Sequence, residues 1–84
     1  MMVTLESVVA AVAGYVGRSH GKLKQPIGPD TKMFQDGLID SFGLVELQAD
    51  LEKISGETLP EGGLTPDDFD SPRVLYARLK ELLG

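Results

Sequence analysis

Gly37-Leu38-Ile39-Asp40-Ser41-Phe42-Gly43-Leu44-Val45-Glu46-Leu47 lies mid-chain, and a change of character inside it decides the fold. Ahead of Asp40, glycine and proline interrupt any regular pattern. From Ser41 onward, Leu44, Leu47, Leu51 and Ile54 recur at intervals of three, four and three, the spacing of one helical face. Asp40 and Ser41 are residue types that start helices, because their side-chain oxygens accept from the unpaired N–H groups of a first turn. Gly56 supplies a stop. The spacing therefore predicts a helix from Ser41 to Ser55. Val45, Glu46, Ala49, Asp50 and Lys53 fall on its outer side, near Ser41 along the axis.

Upstream, Leu5, Val8, Val12, Tyr15 and Val16 predict a first helix from Thr4 to Val16, with Val9 widening the stripe. Thr4 is its N-cap, Val3 and Val8 a hydrophobic staple, and Gly17 its end. Residues 17–39 then form a long connection broken by Gly17, Gly21, Pro26, Gly28, Pro29 and Gly37. Connections of that length in a compact domain are functional or pinned down. Leu23, Ile27, Met33, Phe34, Leu38 and Ile39 are the expected anchors, holding the loop over one end of a bundle.

Downstream, Glu57 to Leu64 is a turn region with Pro60 and Gly62-Gly63. Thr65-Pro66-Asp67-Asp68 opens a short third helix carrying Phe69, because Ser71-Pro72 repeats the start signal almost at once. Val74, Leu75, Leu79, Leu82 and Leu83 make the last helix. Tyr15 and Tyr76 are expected to pack in the bundle. Arg73, Arg78 and Lys80 are expected to be solvated charges complementing the end of the last helix. No segment alternates with period two. The fold class is all-α, a four-helix bundle with three longer helices, one short helix and a long first loop. Residues 1–84 leave no room for a second core, so they are read as a single domain.

Composition excludes more than it identifies. The chain is 42% hydrophobic and 25% charged, the balance of a soluble globular protein. It has no cysteine, hence no disulfide, thiolate metal site or thiol nucleophile, and must rely on closely packed helices. His20 is its one histidine. No nucleophile–base pair or metal set can be assembled, so no catalytic residue, no metal and no enzyme activity are expected. Asp67-Asp68-Phe69-Asp70 lacks the spacing of a calcium-binding EF-hand loop. No apolar run reaches membrane-spanning length, and Met1-Met2-Val3-Thr4-Leu5-Glu6 lacks the basic region of a secretory signal, which points to a cytoplasmic protein. The formal net charge is −5, and residues 33–70 carry ten acids against one base, Lys53. An acidic middle disfavours nucleic acid and favours partners with basic docking surfaces.

The run from Gly37 to Leu47 resembles the attachment motif of the acyl carrier protein family: an aspartate–serine pair, a leucine or phenylalanine, then Val-Glu-Leu. The order of elements matches as well, with a long first loop, the serine opening helix two, a short helix three and a final helix. The resemblance implies a discrete carrier protein that holds acyl or aminoacyl cargo as a thioester on a phosphopantetheine arm attached covalently to Ser41. The absence of cysteine acquires meaning here, since the arm, transferred from coenzyme A, brings the thiol. The resemblance further implies as partners a phosphopantetheinyl transferase and the ligase, synthase or transferase enzymes that load and collect the cargo, with the carrier itself a monomer. Specialised lipid, polyketide, peptide or cell-envelope biosynthesis is the implied setting.

Within that resemblance, Asp40 is expected to help engage the modifying transferase and its metal ion. Phe42, Val45, Glu46, Ala49 and Asp50 form the expected docking strip, while Glu52 is equally compatible with a solvated face. Gly43 stands where fatty-acid carriers often have an acid, Ala49 where they often have a large apolar residue, and Gln48 is polar beside the core stripe. The Asp-Ser-Phe-Gly stretch is closer to carriers of D-alanine and other specialised groups. Gly-Gly-His-Ser, usual in peptidyl carriers, is absent. The competing reading is an unmodified helical module that docks partners.

Overall fold

Thr4 begins the fold by closing a reciprocal cap. Its Oγ1 accepts from the Ser7 N–H (3.1 Å) and its own N–H donates to Ser7 Oγ (2.8 Å). The computed structural model describes residues 3–20, 26–60 and 63–83, with His20 and Ser41 described in their backbone only. Helix α1 spans Leu5–His20, α2 Ser41–Ser55 and α3 Pro72–Leu83; a 3₁₀ turn, Pro66–Phe69, precedes α3. Among the described residues there is no strand. Helix α1 packs against both α2 and α3, and the 3₁₀ turn against α3.

Four boundaries follow the expected chemistry. Asp40, in extended conformation, caps α2, and Gly56 ends it in the left-handed region at φ 72°, where a side chain would be strained. The Thr65 N–H donates to the Asp68 carboxylate (2.8 Å) at the head of the 3₁₀ turn. Ser71 Oγ accepts from the Val74 N–H (3.3 Å) at the head of α3. Helix α1 is the exception, because it runs three residues past Gly17. Gly17 keeps a negative φ, and Arg18 in the extra stretch pairs with Asp50 of α2, so a tertiary contact holds the stretch on.

The core is Val3, Val8, Val12, Tyr15 and Val16 from the first helical region, Met33 and Ile39 from the long connection, Leu47 and Leu51 from α2, then Leu59, Phe69, Leu75 and Leu79. Val3 and Val8 are both buried there, in keeping with a staple. The inward face of α2 is rotated from the expected one. Gly43, Leu47, Leu51 and Ser55 are buried, Leu44 is half-buried, and Ile54 is 39% exposed. Ser55 can take the last inward place because its hydroxyl accepts from the Glu57 N–H (3.2 Å) and lies 3.2 Å from the Glu52 carbonyl. Each fully buried leucine contributes about 1.5–3 kcal/mol, against about 0–1 kcal/mol for the partly exposed Arg18–Asp50 pair. The leucines hold α2 in place and the ion pair only steers it.

The long connection is a strap across α3. Its backbone is bonded at two points: Met33 N–H to the carbonyl of Asp70, which follows the 3₁₀ turn (2.9 Å), and the N–H of Arg73 in α3 to the Pro29 carbonyl (2.8 Å). Met33 and Ile39 are buried, and Ile27 and Leu38 pack against the core, as expected of anchors. Phe34 is not an anchor: it is 38% exposed, because a turn closed by Leu38 N–H to the Met33 carbonyl (2.9 Å) sends Met33 inward and its neighbour out. Leu23 lies outside the described residues. In α3, Pro72, Leu75 and Leu79 point inward, while Val74 is 41% exposed beside Phe34. Tyr15 is buried; Tyr76 is half-buried and carries Lys80 above its ring at 5.6 Å.

Lys80 lies in the last turn of α3 as expected, whereas the two arginines differ from expectation. Arg73 sits in the first turn and clamps Asp30 of the strap through Nε (2.8 Å) and Nη2 (3.2 Å). Arg78 donates to the Gly63 carbonyl (3.3 Å) and to Glu81 (2.7 Å). They are tethers for connections rather than complements to the end of the helix.

Gly43 and Gly17 separate two roles of glycine in helices. An added Cβ at Gly43 would fall on the Tyr15 hydroxyl and 2.6 Å from its Cζ, whereas at Gly17 it meets nothing within 4 Å. Gly17→Ala should therefore stabilise the fold by about 0.5–1 kcal/mol. Gly43→Ala should destabilise it by about 1–3 kcal/mol. Urea unfolding midpoints of the two variants should move in opposite directions.

The strap has a pH signature as well. The hydrogen-bonded Arg73 guanidinium holds the Asp30 carboxyl below its ordinary range, and Lys32 adds to this. A depressed folded-state pKa means the clamp is fully present above the ordinary value of about 3.9 and lost as pH falls through the lower, folded value. Titration followed by carboxyl carbon NMR should place the Asp30 midpoint below 3.9. Arg73→Gln should move it upward.

Candidate functional site

The first turn of α2 gathers most of the residues that the sequence singled out. Asp40 stands just outside the helix with φ −131° and ψ −174°, and its Oδ1 accepts from the Gly43 N–H at 2.8 Å. Its own carbonyl accepts the first helical bond, from the Leu44 N–H at 3.1 Å. Ser41 is the first residue of the helix proper. Helical N–H groups ahead of the first bond have no partner within the helix, and they form the positive end of its dipole. A phosphodiester at this position would thus lie where backbone donors and dipole both favour negative charge. The expected exposure of the Ser41 hydroxyl falls outside the described residues.

Around Ser41, the outward face of α2 is more apolar than its composition suggests. Phe42 is 84% exposed and Val45 71%, an expensive display for large apolar side chains that no contact among the described residues explains. Glu46 and Ala49 are exposed on the same side. Asp50 is different. It is partly buried and ion-paired with Arg18 of α1, so it is no free acid on a solvent strip. Glu52 is likewise engaged within the fold, accepting from the Leu59 N–H at 2.7 Å and thereby holding the chain that leaves α2. Of the acids read as a possible docking strip, Glu46 alone is both exposed and unpaired among the described residues.

Two residues that carry this geometry were not legible as functional. Gly43 is buried against Tyr15, and its N–H is the donor that Asp40 caps. Arg18 withdraws Asp50 from the surface pattern. A glycine two places after the helix start, in a segment otherwise favourable to helix, was the available sign of the first. Nothing in the sequence spacing pairs Arg18 with Asp50. Beside the strap, Phe34, Pro66, Asp67, Asp70 and Val74 line an open groove of about 460 Å³. It is a surface feature and not an enclosed chamber among the helices. No helix among the described residues is long and apolar enough to cross a membrane.

The chain is 39% identical over 54 residues to the D-alanyl carrier protein of Bacillus velezensis, a match covering 64% of this chain and 69% of that protein. It is 37% identical over 54 residues to the D-alanyl carrier protein of Bacillus pumilus, with the same coverage. The D-alanyl carrier protein of Leuconostoc mesenteroides is 33% identical over 55 residues, 66% of this chain and 70% of that protein. No family model matches the chain, and no solved structure matches it significantly. Identity at this level over two thirds of those relatives shows that the chain belongs to the acyl carrier protein family.

Proposed function

We propose that this chain is a carrier whose Ser41 bears a phosphopantetheine arm, and that its cargo is an aminoacyl or other small acyl group held on that arm as a thioester. The observation that carries the reading is positional. Ser41 opens α2 directly after a capping aspartate, and the two most exposed large apolar residues of the described structure, Phe42 and Val45, follow it on the same helix. The relatives' name, D-alanyl carrier protein, favours the aminoacyl class of cargo.

The residues present fit such a group. When bound, phosphopantetheine supplies the thiol that this cysteine-free chain lacks. The start of α2 offers backbone donors to the phosphate, and Asp40 keeps that start formed by satisfying the Gly43 N–H. The chain's own contribution is address and delivery: a tethered cargo reaches each partner at high effective concentration, and no general base is required of the protein. Asp40 then serves twice, as cap and as the acid that the modifying transferase engages. Phe42, Val45 and Ala49, with Glu46 at their centre, are the face that partners read.

Intact mass after coexpression with a phosphopantetheinyl transferase tests the tether. A gain of one phosphopantetheine, mapped to the Ser41 peptide and absent from Ser41→Ala, is the expected result. No gain with several transferases would leave a docking module without an arm. The docking face has its own test. Phe42→Ala or Val45→Ala should weaken partner binding about tenfold or more, as for buried interface anchors. Asp50→Asn should change it by less than about threefold, because Asp50 is already paired within the chain. Titration calorimetry against a loading enzyme would reject this division if Asp50→Asn were the more damaging change.

A further inference from the structure

Resting on the reading of Ser41 as the tether point, we propose that Tyr15 and Gly43 are a positioning pair: the Tyr15 ring is the seat on which the first turn of α2 rests, and the missing side chain at Gly43 lets Ser41 be presented at the height the modifying enzyme requires. The geometry is tight on two sides. An added Cβ at Gly43 would meet the Tyr15 hydroxyl and Cζ on one side and Ile39 Cγ1 at 3.1 Å on another. Both neighbours are buried, so moving either one disturbs the core. Tyr15 is 3% exposed and lies between the buried Val12 and Val16 on α1, and Ile39 is 7% exposed.

The alternative is for α2 to lift, and the cap makes that consequential. The Gly43 N–H is itself the donor to Asp40 Oδ1, so a shift at Gly43 strains or breaks the cap. Ser41 lies in the chain between the capping Asp40 and the capped Gly43 and has to move with them. Glycine is also the poorest helix former apart from proline, so its place inside the first turn is not explained by helix formation. Close approach of Tyr15 explains it. The same packing bars an acid from position 43, where it would be desolvated beneath the ring. Partners of this carrier therefore read the first turn through Phe42 and Val45 on the outside, with nothing to read at position 43.

The test compares rates of arm transfer from coenzyme A to wild type, Gly43→Ala, the double variant Gly43→Ala/Tyr15→Leu, and Leu79→Ala as a control that weakens the core away from α2. All are assayed where circular dichroism shows them folded. Gly43→Ala should lose about tenfold or more in kcat/KM for transfer, the scale of a misplaced reacting group. The double variant should recover to within about threefold, and Leu79→Ala should match wild type despite lower stability. Hydrogen exchange at the position-43 amide should show protection lost in the single variant and regained in the double. If Gly43→Ala does not fold while the double variant folds and is modified, the pair is supported. Wild-type rate in a folded Gly43→Ala, or a loss that Tyr15→Leu does not repair, overturns it. If wild type accepts no arm, the tether reading fails, and amide protection alone then decides the pair: unchanged protection in Gly43→Ala overturns it.

Discussion

A tyrosine on one helix and the absence of a side chain on another govern how this molecule is put together. Tyr15 is large and buried, and it is placed by the α1 stripe that also buries Val8, Val12 and Val16. For α2 to lie against α1, something on α2 must yield to that ring, and Gly43 does. The contact falls in the first turn of α2, so it sets the approach of the whole helix where the chain arrives from its longest connection. Leu47 and Leu51, one and two turns further on, then bury completely. In a chain of 84 residues with no covalent staple, such close approach of helices is the principal means of burying enough apolar surface.

The strap makes the second half of the same argument. A connection that must arrive at Asp40 in extended conformation cannot be left loose, since the cap geometry would then fluctuate with it. Two backbone hydrogen bonds to Asp70 and Arg73, the buried Met33 and the Arg73–Asp30 clamp hold it. Arg73 and Asp30 are both largely exposed, so the ion pair adds direction more than energy. Burial of Met33 and Ile39 carries the stability. Helix α1 thus supplies the floor beneath the start of α2, and α3 supplies the rail along which the chain reaches it.

Much of this was legible in the sequence, and the failures share a cause. The ends of α2, the short turn at Thr65-Pro66 and the start at Ser71-Pro72 follow from capping chemistry, which is local and therefore visible in a linear string. Periodicity also found Leu47 and Leu51. It misjudged Ile54 and Val74, and Phe34 was misjudged as a loop anchor, because an apolar residue was assumed to point inward. On α2 that face is completed by Gly43 and Ser55, one small enough for a close approach and one able to satisfy its hydroxyl locally. Gly17 failed for the opposite reason. A residue with stop-like propensity was overruled by Arg18 pairing with Asp50 a helix away.

The candidate site repeats the lesson for charge. Ten acids between residues 33 and 70 suggested a surface built to meet bases, yet several are engaged inside the fold. Asp40 and Asp68 cap, Glu52 holds the exit of α2, Asp50 pairs with Arg18 and Asp70 with Lys32. An acid committed to a backbone N–H or a neighbouring base offers a partner little, since engaging it means first breaking what it already has. What remains free on the outward face of α2 is Glu46 together with a phenylalanine and a valine held out in water beside a helix start. Exposed apolar area is unfavourable until something covers it, so the face most in need of a partner is the one at Phe42 and Val45.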